Sequence, residues 1–382
     1  MYKTIEELVT RVDERNNGGI VSELIGVSID KCFIKSVANT NGTDLSKYKI
    51  IRKNDFAVSL MQVSRDGKIP VARLEEYEEA IMSPAYPIFR VKDKNVILPE
   101  YLEMWFKRPE FDREAAFIAV GGVRGSMPWE EFAKMKLPVP TIEKQRKIVN
   151  AYKIVTDRIA LKQKINDNLA NTEQLILYQA ISKNQTIPLS LNEIAEFIDG
   201  DRGKNYPTFD EFSTSGFCLF LNASNVTSSG FNFDSCMFVT EEKDKIMRNG
   251  HLLLNDIVFT SRGTLGNVAL YDKNIKYKNV RINSGMLIIR PKGINLSPYF
   301  IYALLKSNYM KSAIEQFRSG SAQPQLPIKD LQNITFDIPE SQNVLDDLEH
   351  RFFEIEETIS INKREIGNLS ELASILLARL SR

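Results

Sequence analysis

Histidine and cysteine are scarce in this chain. Only His251 and His350 occur among its 382 residues. The cysteines, Cys32, Cys218 and Cys236, are odd in number and lack the short paired spacings of zinc ligands. This excludes a disulfide framework and a histidine–cysteine metal centre, and it predicts reduced, buried thiols in a cytoplasmic protein.

An excess of charge of one sign and a long apolar run are also missing. Fifty basic residues face 49 acidic residues, which gives a net charge of +1. No run of about 18 apolar residues occurs, and the opening MYKTIEELVT lacks the basic and apolar regions of a secretion signal. These features predict a cytoplasmic location and no membrane partner. Any binding of nucleic acid has to come from local patches, because the net field is weak.

Signature motifs of catalysis are absent as well. The sequence contains no P-loop, no GxGxxG, no GxSxG elbow and no Asn-Pro-Pro-aromatic tetrapeptide. The best enzyme-like pattern is Asp234 with Glu241 and Lys243, which loosely copies the acidic cluster of Mg²⁺-dependent nucleases, but a solvated charged turn explains it better. We predict no catalytic residue, no metal site and no cofactor in this chain, with structural or surface roles for both histidines.

The chain is internally repeated. Three segments of the first half recur in the same order in the second half, at offsets near 200 residues: 53–59 with 254–260, 88–92 with 288–292, and 98–101 with 296–299. Conserving their order over such distances indicates a tandem duplication, roughly 1–186 and 187–382.

Each half is predicted to contain short strands and short helices, followed by one long helix. Alternating apolar residues at 257–260 and 286–289 indicate strands. Proline at the start of 99–107 and of 298–307 indicates short helices. The fold class is therefore α+β.

The long helices follow Pro140 and Pro339. No glycine or proline occurs between Pro140 and Pro188, and only Gly367 interrupts the second helix. Each helix of about 40 residues would be roughly 60 Å long. Their apolar stripes include the residues that we expect to pair the two helices: Ile148, Tyr152, Val155, Ile159, Leu348, Phe352, Ile355 and Ile359.

The charges of the two helices are opposite. Residues 143–183 carry a net charge of +4, and residues 340–382 carry −4. The apolar stripes would supply the affinity between the helices, while the charges would select the partner and register. The alternative is that each helix packs only on its own domain, although a helix of this length exceeds the diameter of such a domain.

Polar loops recur at matching places in both halves. Ser261 and Arg262 follow a predicted strand, and Arg65 and Lys68 lie in the equivalent stretch. Glycine in such a loop lets backbone approach phosphate, and arginine can bind a guanine edge or a phosphate. These loops are candidates for binding DNA, although an exposed tight turn is the simpler explanation of one copy.

A second set of loops adds further candidates. Residues 121–126 contain Arg124, and residues 319–325 contain Gln323 and Gln325, whose amides have the geometry that reads adenine. Basic and aromatic residues also interleave around three more candidate DNA-binding residues, Arg202, Lys204 and Arg281. Because the loop sequences differ between the halves, each half is predicted to bind a different target.

The chain resembles the specificity (S) subunit of bacterial Type I restriction-modification systems over its whole length. The resemblance rests on the duplicated layout, on the junction LPVPTIEKQRKIV at 137–149, and on the Asn-Asp-aliphatic strand before each Ser-Arg loop. Residues 26–29 and 83–86 also resemble one subclass of target recognition domain. The second junction, 336–342, departs from the pattern because it has one proline and lacks the Glu-x-Gln-Arg run.

The resemblance implies two target recognition domains, 1–142 and 187–339, each reading one half of a bipartite sequence in double-stranded DNA. The helices, 143–186 and 340–382, would pack antiparallel as a coiled-coil spacer with pseudo-two-fold symmetry.

The resemblance also implies catalytic partners in host defence. Two modification subunits would bind S-adenosylmethionine and methylate adenine N6, and restriction subunits would use ATP with Mg²⁺. Two alternatives remain open: a stand-alone nuclease that uses Asp234, Glu241 and Lys243, and a helical scaffold that does not bind DNA.

Overall fold

A computed structural model describes residues 1–36, 43–61, 63–120, 125–293, 296–317 and 325–381 of the chain. The chain divides into two compact units, of which the first contains Met1–Leu161 and Ile366–Arg382 and the second contains Lys162–Glu365. Each unit therefore includes parts of both long helices, unlike the four consecutive segments predicted from the sequence. No helix in the described ranges has the length and apolarity needed to cross a membrane.

The described residues of the first half form ten strands and six α-helices, with a 3₁₀ turn at Leu45–Lys47. The strands are β1 (Tyr2–Thr4), β2 (Val9–Val12), β3 (Ile25–Val27), β4 (Phe33–Lys35), β5 (Lys49–Arg52), β6 (Phe56–Val58), β7 (Val71–Arg73), β8 (Glu79–Met82), β9 (Ile88–Val91) and β10 (Lys136–Pro138). The helices are α1 (Ile5–Leu8), α2 (Val63–Asp66), α3 (Pro99–Phe106), α4 (Pro109–Ile118), α5 (Trp129–Lys134) and α6 (Ile142–Lys183).

The first unit is built around a four-stranded sheet in the order β2-β9-β6-β7, in which each strand is antiparallel to its neighbours. Smaller pairs, β1 with β10, β3 with β4 and β5 with β8, surround it. One face of the sheet packs on α3, α4 and α5 through an aromatic cluster of Phe56, Phe89, Phe106, Phe111 and Phe132. The burial of these rings is the main apolar contribution to the core.

The second half of the chain repeats this sequence of elements with some additions. Its strands are β11 (Thr186–Ser190), β12 (Ala195–Asp199), β13 (Cys218–Leu221), β14 (Val226–Thr227), β15 (Gly230–Phe231), β16 (Phe238–Val239), β17 (Ile257–Thr260), β18 (Val268–Leu270), β19 (Val280–Ile282), β20 (Met286–Pro291) and β21 (Thr335–Pro339). Its helices are α7 (Leu191–Ile194), α8 (Glu241–Ile246), α9 (Pro298–Lys306), α10 (Asn308–Phe317), α11 (Ile328–Gln332) and α12 (Gln342–Ala378), with 3₁₀ turns at Phe209–Glu211, Ala223–Asn225 and Arg379–Ser381.

The second unit has the same central sheet as the first, in the order β12-β20-β17-β18. A three-stranded sheet, β16-β13-β19, contains the one parallel pairing among the described strands, between β13 and β19. The core side of the central sheet packs on α9 and α10, where Phe300 stacks on Phe352 of α12. The matching strand orders of the two units confirm the tandem duplication and the α+β class.

An aspartate–arginine pair is built in the same way in both units. Asp55 accepts hydrogen bonds from Arg90 Nε and Nη2 at 2.6 and 2.8 Å, and Asp256 accepts the equivalent bonds from Arg290 at 2.8 and 2.7 Å. The residue before each aspartate is an asparagine in the left-handed region, with φ of 68° at position 54 and 72° at position 255. The bidentate bond to aspartate raises the pKa of both arginines. The repeated Asn-Asp dipeptide therefore forms a turn and anchors an arginine of the neighbouring strand.

The two long helices run antiparallel where they meet inside the second unit. Lys162 Nζ lies 2.7 Å from Glu365 Oε2, and Asn362 Nδ2 donates to Asn166 Oδ1 at 2.8 Å. Inside the first unit, Leu377 and Leu380 join the same apolar cluster as Ile148 and Tyr152. In the second unit the numbering of one helix increases as that of the other decreases, which is the antiparallel arrangement expected from the family resemblance.

The three thiols are free, and their environments differ. Cys218 is buried, and this burial raises the pKa of its thiol. Cys236 is half-buried. The expectation of a buried thiol is wrong for Cys32, which is exposed because it lies in the turn between β3 and β4.

Candidate nucleic-acid interface

The loop between β17 and β18 carries the first candidate residues. The backbone N–H of Ser261 donates to the carbonyl of Gly285 at 3.0 Å, and its Oγ lies 3.0 Å from the same carbonyl oxygen. Ser261 is buried, so its side chain holds the loop to β20 in this conformation. Arg262, the next residue, is exposed. Of the two, Arg262 is therefore the one whose side chain can reach a ligand directly.

Residue 325 lies beside this loop. Arg262 and Gln325 form an isolated antiparallel backbone bridge, and the N–H of Leu326 donates to the carbonyl of Ser261 at 3.3 Å. Gln325 is exposed, like Arg262. Two loops that the sequence proposed separately are therefore adjacent. Gln323 lies outside the described residues.

A third loop follows β12 and adds basic side chains to this surface. Arg202 Nη2 lies 2.8 Å from Asp199 Oδ2 and also donates to the carbonyl of Ser284 at 3.4 Å. Lys204 is exposed two residues later. Since Ser284 adjoins Gly285, which binds Ser261, this loop is joined to the loop of Arg262.

The prediction for Arg281 has to be corrected. Its guanidinium is buried: Nε donates to Asp244 Oδ1 at 2.5 Å, and its Nη atoms donate to the carbonyls of Asn249, Asp244 and Met247 at 2.8 to 3.2 Å. Breaking this set to reach DNA would leave a buried carboxylate without its partner. Arg281 therefore holds α8 to β19.

The first unit has a related arrangement around Arg65. Arg65 and Lys68 are exposed, at and just after α2, which lies in the connection from β6 to β7. A Cβ on Gly125 (φ 74°) would lie 2.5 Å from Ser64 Oγ, so the glycine allows close contact with α2. The N–H of Met127 donates to the carbonyl of Leu60 at 2.9 Å, as Leu326 does to Ser261.

The two units also differ at this place. The equivalent of the irregular loop after β17 is a longer connection that includes the helix α2. Arg65 also lies 3.2 Å from the carboxylate of its neighbour Asp66, whereas no ion pair involves Arg262 in the described part of the chain. Arg124, the remaining candidate of this half, lies outside the described residues.

The sequence analysis missed one exposed arginine at this surface. Arg248 follows α8 and precedes the turn at Asn249-Gly250, and its side chain is exposed. Its backbone N–H donates to Asp201 Oδ2 at 2.8 Å, which places it beside the loop of Arg202. The sequence around Arg248 shows only an arginine before an Asn-Gly turn. The proximity of Arg248 to Arg202 comes from a contact between residues far apart in the sequence, which no local pattern indicates.

The residues of the nuclease alternative are engaged in separate interactions. Lys243 Nζ contacts both carboxylate oxygens of Glu211 at 2.9 and 2.8 Å, and Glu241 pairs with Lys245 at 2.8 Å. Asp234 lies in an exposed turn in which its N–H donates to Asn232. Among the described residues, no group of three histidine, cysteine, aspartate or glutamate side chains could hold a metal ion. The geometry therefore gives this alternative no support.

The predicted helix-pairing residues are mostly inward-facing. Val155, Leu348, Phe352, Ile355 and Ile359 are buried, and three others, Ile148, Tyr152 and Ile159, are half-buried. Leu348 and Phe352 belong to the core of the second unit. In that unit the helices contact both each other and the folded domain, so helix pairing and domain packing occur together.

A buried charged cluster links both helices to α9 inside the second unit. Lys306 Nζ lies 2.6 Å from Glu173 Oε2 of α6 and pairs with Glu356 of α12. Burial raises the pKa of Glu173 to about 8; Lys306 opposes this shift, and repulsion from Glu356 adds to it. The pKa of Lys306 is also raised, because attraction to both carboxylates exceeds the cost of its burial.

Comparison with known proteins agrees with the resemblance seen in the sequence. Residues 188–366 match the family model described as Type I restriction modification DNA specificity domain. A Type I restriction enzyme MjaIX specificity subunit from Methanocaldococcus jannaschii is 21% identical over 304 residues, which cover 75% of this chain and 69% of that protein.

A solved structure shares the fold. The crystal structure of the Type I restriction-modification system S subunit from M. genitalium aligns with a TM-score of 0.61 and 16% identity, over 100% of this chain and 96% of that chain. The family match at 188–366, the duplicated fold and the curated relative point to the same group of proteins. Residues 188–366 therefore contain a Type I restriction modification DNA specificity domain, and the whole chain is similar in sequence and in fold to Type I specificity subunits.

Proposed function

We propose that this chain is the sequence-reading subunit of a Type I restriction-modification complex that acts in the cytoplasm of a bacterium or archaeon. Each recognition domain reads one half of a bipartite target in double-stranded DNA. The long helices set the distance between the half-sites and bind two modification subunits. Methylation with S-adenosylmethionine, and translocation and cleavage with ATP and Mg²⁺, belong to the modification and restriction subunits.

One observation carries this proposal. In each unit an exposed arginine, Arg65 or Arg262, lies in the connection between the last two strands of the same four-stranded sheet. In each unit one described residue at the end of the second candidate loop, Gly125 or Gln325, lies against that connection. The backbone framework around the two arginines is repeated, while the other exposed side chains of these loops differ between the units. A repeated framework with different side chains is the arrangement needed to read two different half-sites.

The test is to map adenine methylation in cells that express this chain with its genomically adjacent methyltransferase. We expect one split motif with a fixed nonspecific gap. Exchanging residues 1–150 for those of a related subunit should change one half of the motif and leave the other half and the gap unchanged. If no new motif arises, although the same methyltransferase methylates DNA with another S subunit, the scaffold alternative is favoured instead.

Replacing Arg262 by alanine should weaken specific binding. If the guanidinium reads a base, the loss is about 1–3 kcal/mol, and discrimination at one position of the motif relaxes. The measurement is the affinity of the assembled complex for duplexes that carry each base at that position. Arg351→Ala, which removes an exposed arginine of α12, is the control. Unchanged affinity and unchanged preference for Arg262→Ala would remove this residue from the interface.

The outer surfaces of the helices support the docking of modification subunits. Ile154 and Leu161, one heptad apart, are exposed on the part of α6 that belongs to the first unit. Leu175 and Tyr178 are exposed on the part that belongs to the second unit. Large apolar side chains spaced three or seven residues apart on a helix make a surface suited to an amphipathic partner helix.

A further inference from the structure

We propose that Arg248 contacts the phosphate backbone of the DNA and that Asp201 positions it together with Arg202. This inference rests on the proposed function, because it adds contacts to the interface of the second unit. It concerns a loop, 246–251, to which the sequence analysis assigned no role.

Asp201 joins two loops through both oxygens of its carboxylate. Oδ1 accepts a hydrogen bond from the backbone N–H of Arg202 at 2.8 Å, and Oδ2 accepts one from the backbone N–H of Arg248, also at 2.8 Å. The two backbone nitrogens can therefore be no more than about 8 Å apart. Asp201 is buried, so its carboxylate lies beneath the loops.

Close backbone contacts hold the same loops together. A Cβ on Gly250 (φ 87°) would lie 3.2 Å from the Cα of Gly200. A Cβ on Gly200 would collide with the carbonyl of Asn283, two residues before Gly285. The loops at 199–205, 246–251 and 283–285 therefore form one surface, whose backbone geometry requires glycine at two positions.

Two cationic side chains on this surface are available for a ligand, whereas a third, that of Arg202, is paired with Asp199. Arg248 and Lys204 are exposed, and neither forms an ion pair with another residue in the ranges that the structure describes. By contrast, the nearby Lys243 and Lys245 are paired with Glu211 and Glu241.

The negative charge beneath the surface is already engaged. The carboxylate of Asp201 accepts the two backbone N–H groups, and the guanidinium of Arg248 is not bound to it. Exposed cations grouped around a rigid backbone suit phosphate oxygens, which fix the register of a protein on DNA without reading its sequence.

The experiment uses the assembled complex and two duplexes of equal length, one with the mapped target and one with the second half-site scrambled. Affinity is measured between 50 and 200 mM salt. For Arg248→Ala we expect a roughly three- to tenfold loss on both duplexes and a decrease of about 0.9 in the slope of log K against log salt. Arg248→Lys should retain most of the slope, and Arg351→Ala, which removes an exposed arginine of α12, should leave affinity and slope unchanged.

The possible failures are distinguishable. If wild type prefers the mapped target but Arg248→Ala keeps the wild-type slope, the phosphate contact is wrong and the proposed function stands. A loss on the mapped duplex alone would also overturn it, because that result indicates base reading. If the wild-type complex does not distinguish the two duplexes, the proposed function itself fails.

Asp201→Asn tests the positioning role. An amide retains one acceptor oxygen, so one of the two loops is released. We expect the slope to decrease as it does for Arg248→Ala or Arg202→Ala, while the melting temperature changes little. A destabilised variant with an unchanged slope would show that Asp201 has a purely structural role.

Discussion

Replacing Asp256 by alanine is expected to destabilise the second unit by about 3 kcal/mol. Asp256 is 1% exposed and accepts two bonds from Arg290 and one from the N–H of Leu253 at 2.7 Å. Removing one partner of a buried pair costs about 3–5 kcal/mol, and the low end applies because Arg290 is partly exposed and can be rehydrated. The measurement is chemical unfolding, with hydrogen exchange to report each unit separately.

The duplication supplies a matched variant for this experiment. Asp55→Ala removes the same anchor from the first unit and should lower exchange protection around β6 and β9, whereas Asp256→Ala should lower it around β17 and β20. Asp234→Ala, which changes an exposed turn, should leave the exchange protection of both units unchanged. Equal loss of protection from all three changes would show that the anchors contribute nothing specific.

The second large effect is a dependence of stability on pH that comes from Glu173. Burial raises the pKa of Glu173 in the folded chain to about 8, above the 4.5 of a solvated glutamate, so the folded chain binds this proton more tightly than the unfolded chain. The stabilisation is complete below pH 4.5 and declines as the pH rises through 8. Between these limits this group lowers the free energy of unfolding by roughly 1 kcal/mol per pH unit.

Glu173→Gln should remove that slope. The amide is neutral at every pH, so the variant should be more stable than wild type at pH 8, and the difference should shrink toward pH 5. Chemical unfolding of both proteins at pH 5.5, 7 and 8 measures this difference. Glu349→Gln on the exposed side of α12 is the control. An identical pH profile for wild type and Glu173→Gln would show that Glu173 is ionised throughout this range.

Much of the architecture could be predicted because its signals are local. Proline at position 298 and the apolar run after it marked α9, which ends at Lys306, one residue before the prediction. The helix predicted at 143–186 is Ile142–Lys183. The repeated Asn-Asp dipeptide identified the duplication because each copy needs a left-handed residue followed by a buried carboxylate.

Side-chain orientation was harder to predict from the same patterns. Leu175 of α6 and Leu372 of α12 are large apolar residues of the long helices, but both are exposed. A helix with apolar residues on more than one face does not reveal which face packs inward. Arg281 was placed on a surface because lysines and a tyrosine precede it, and its true partner, Asp244, is 37 residues away. Contacts over such distances leave no local pattern.

The junction glutamine, Gln145, limits where the first domain can be separated from the helix that follows it. Gln145 is fully buried in α6: it accepts a bond from the N–H of Leu98 and donates to the carbonyls of Val96 and Pro140, each at 2.9 Å. The first turn of the helix is therefore inherited with the domain that precedes it. A recombination crossover just before Gln145 would leave its amide among foreign loops, whereas a crossover after it would transfer an intact module.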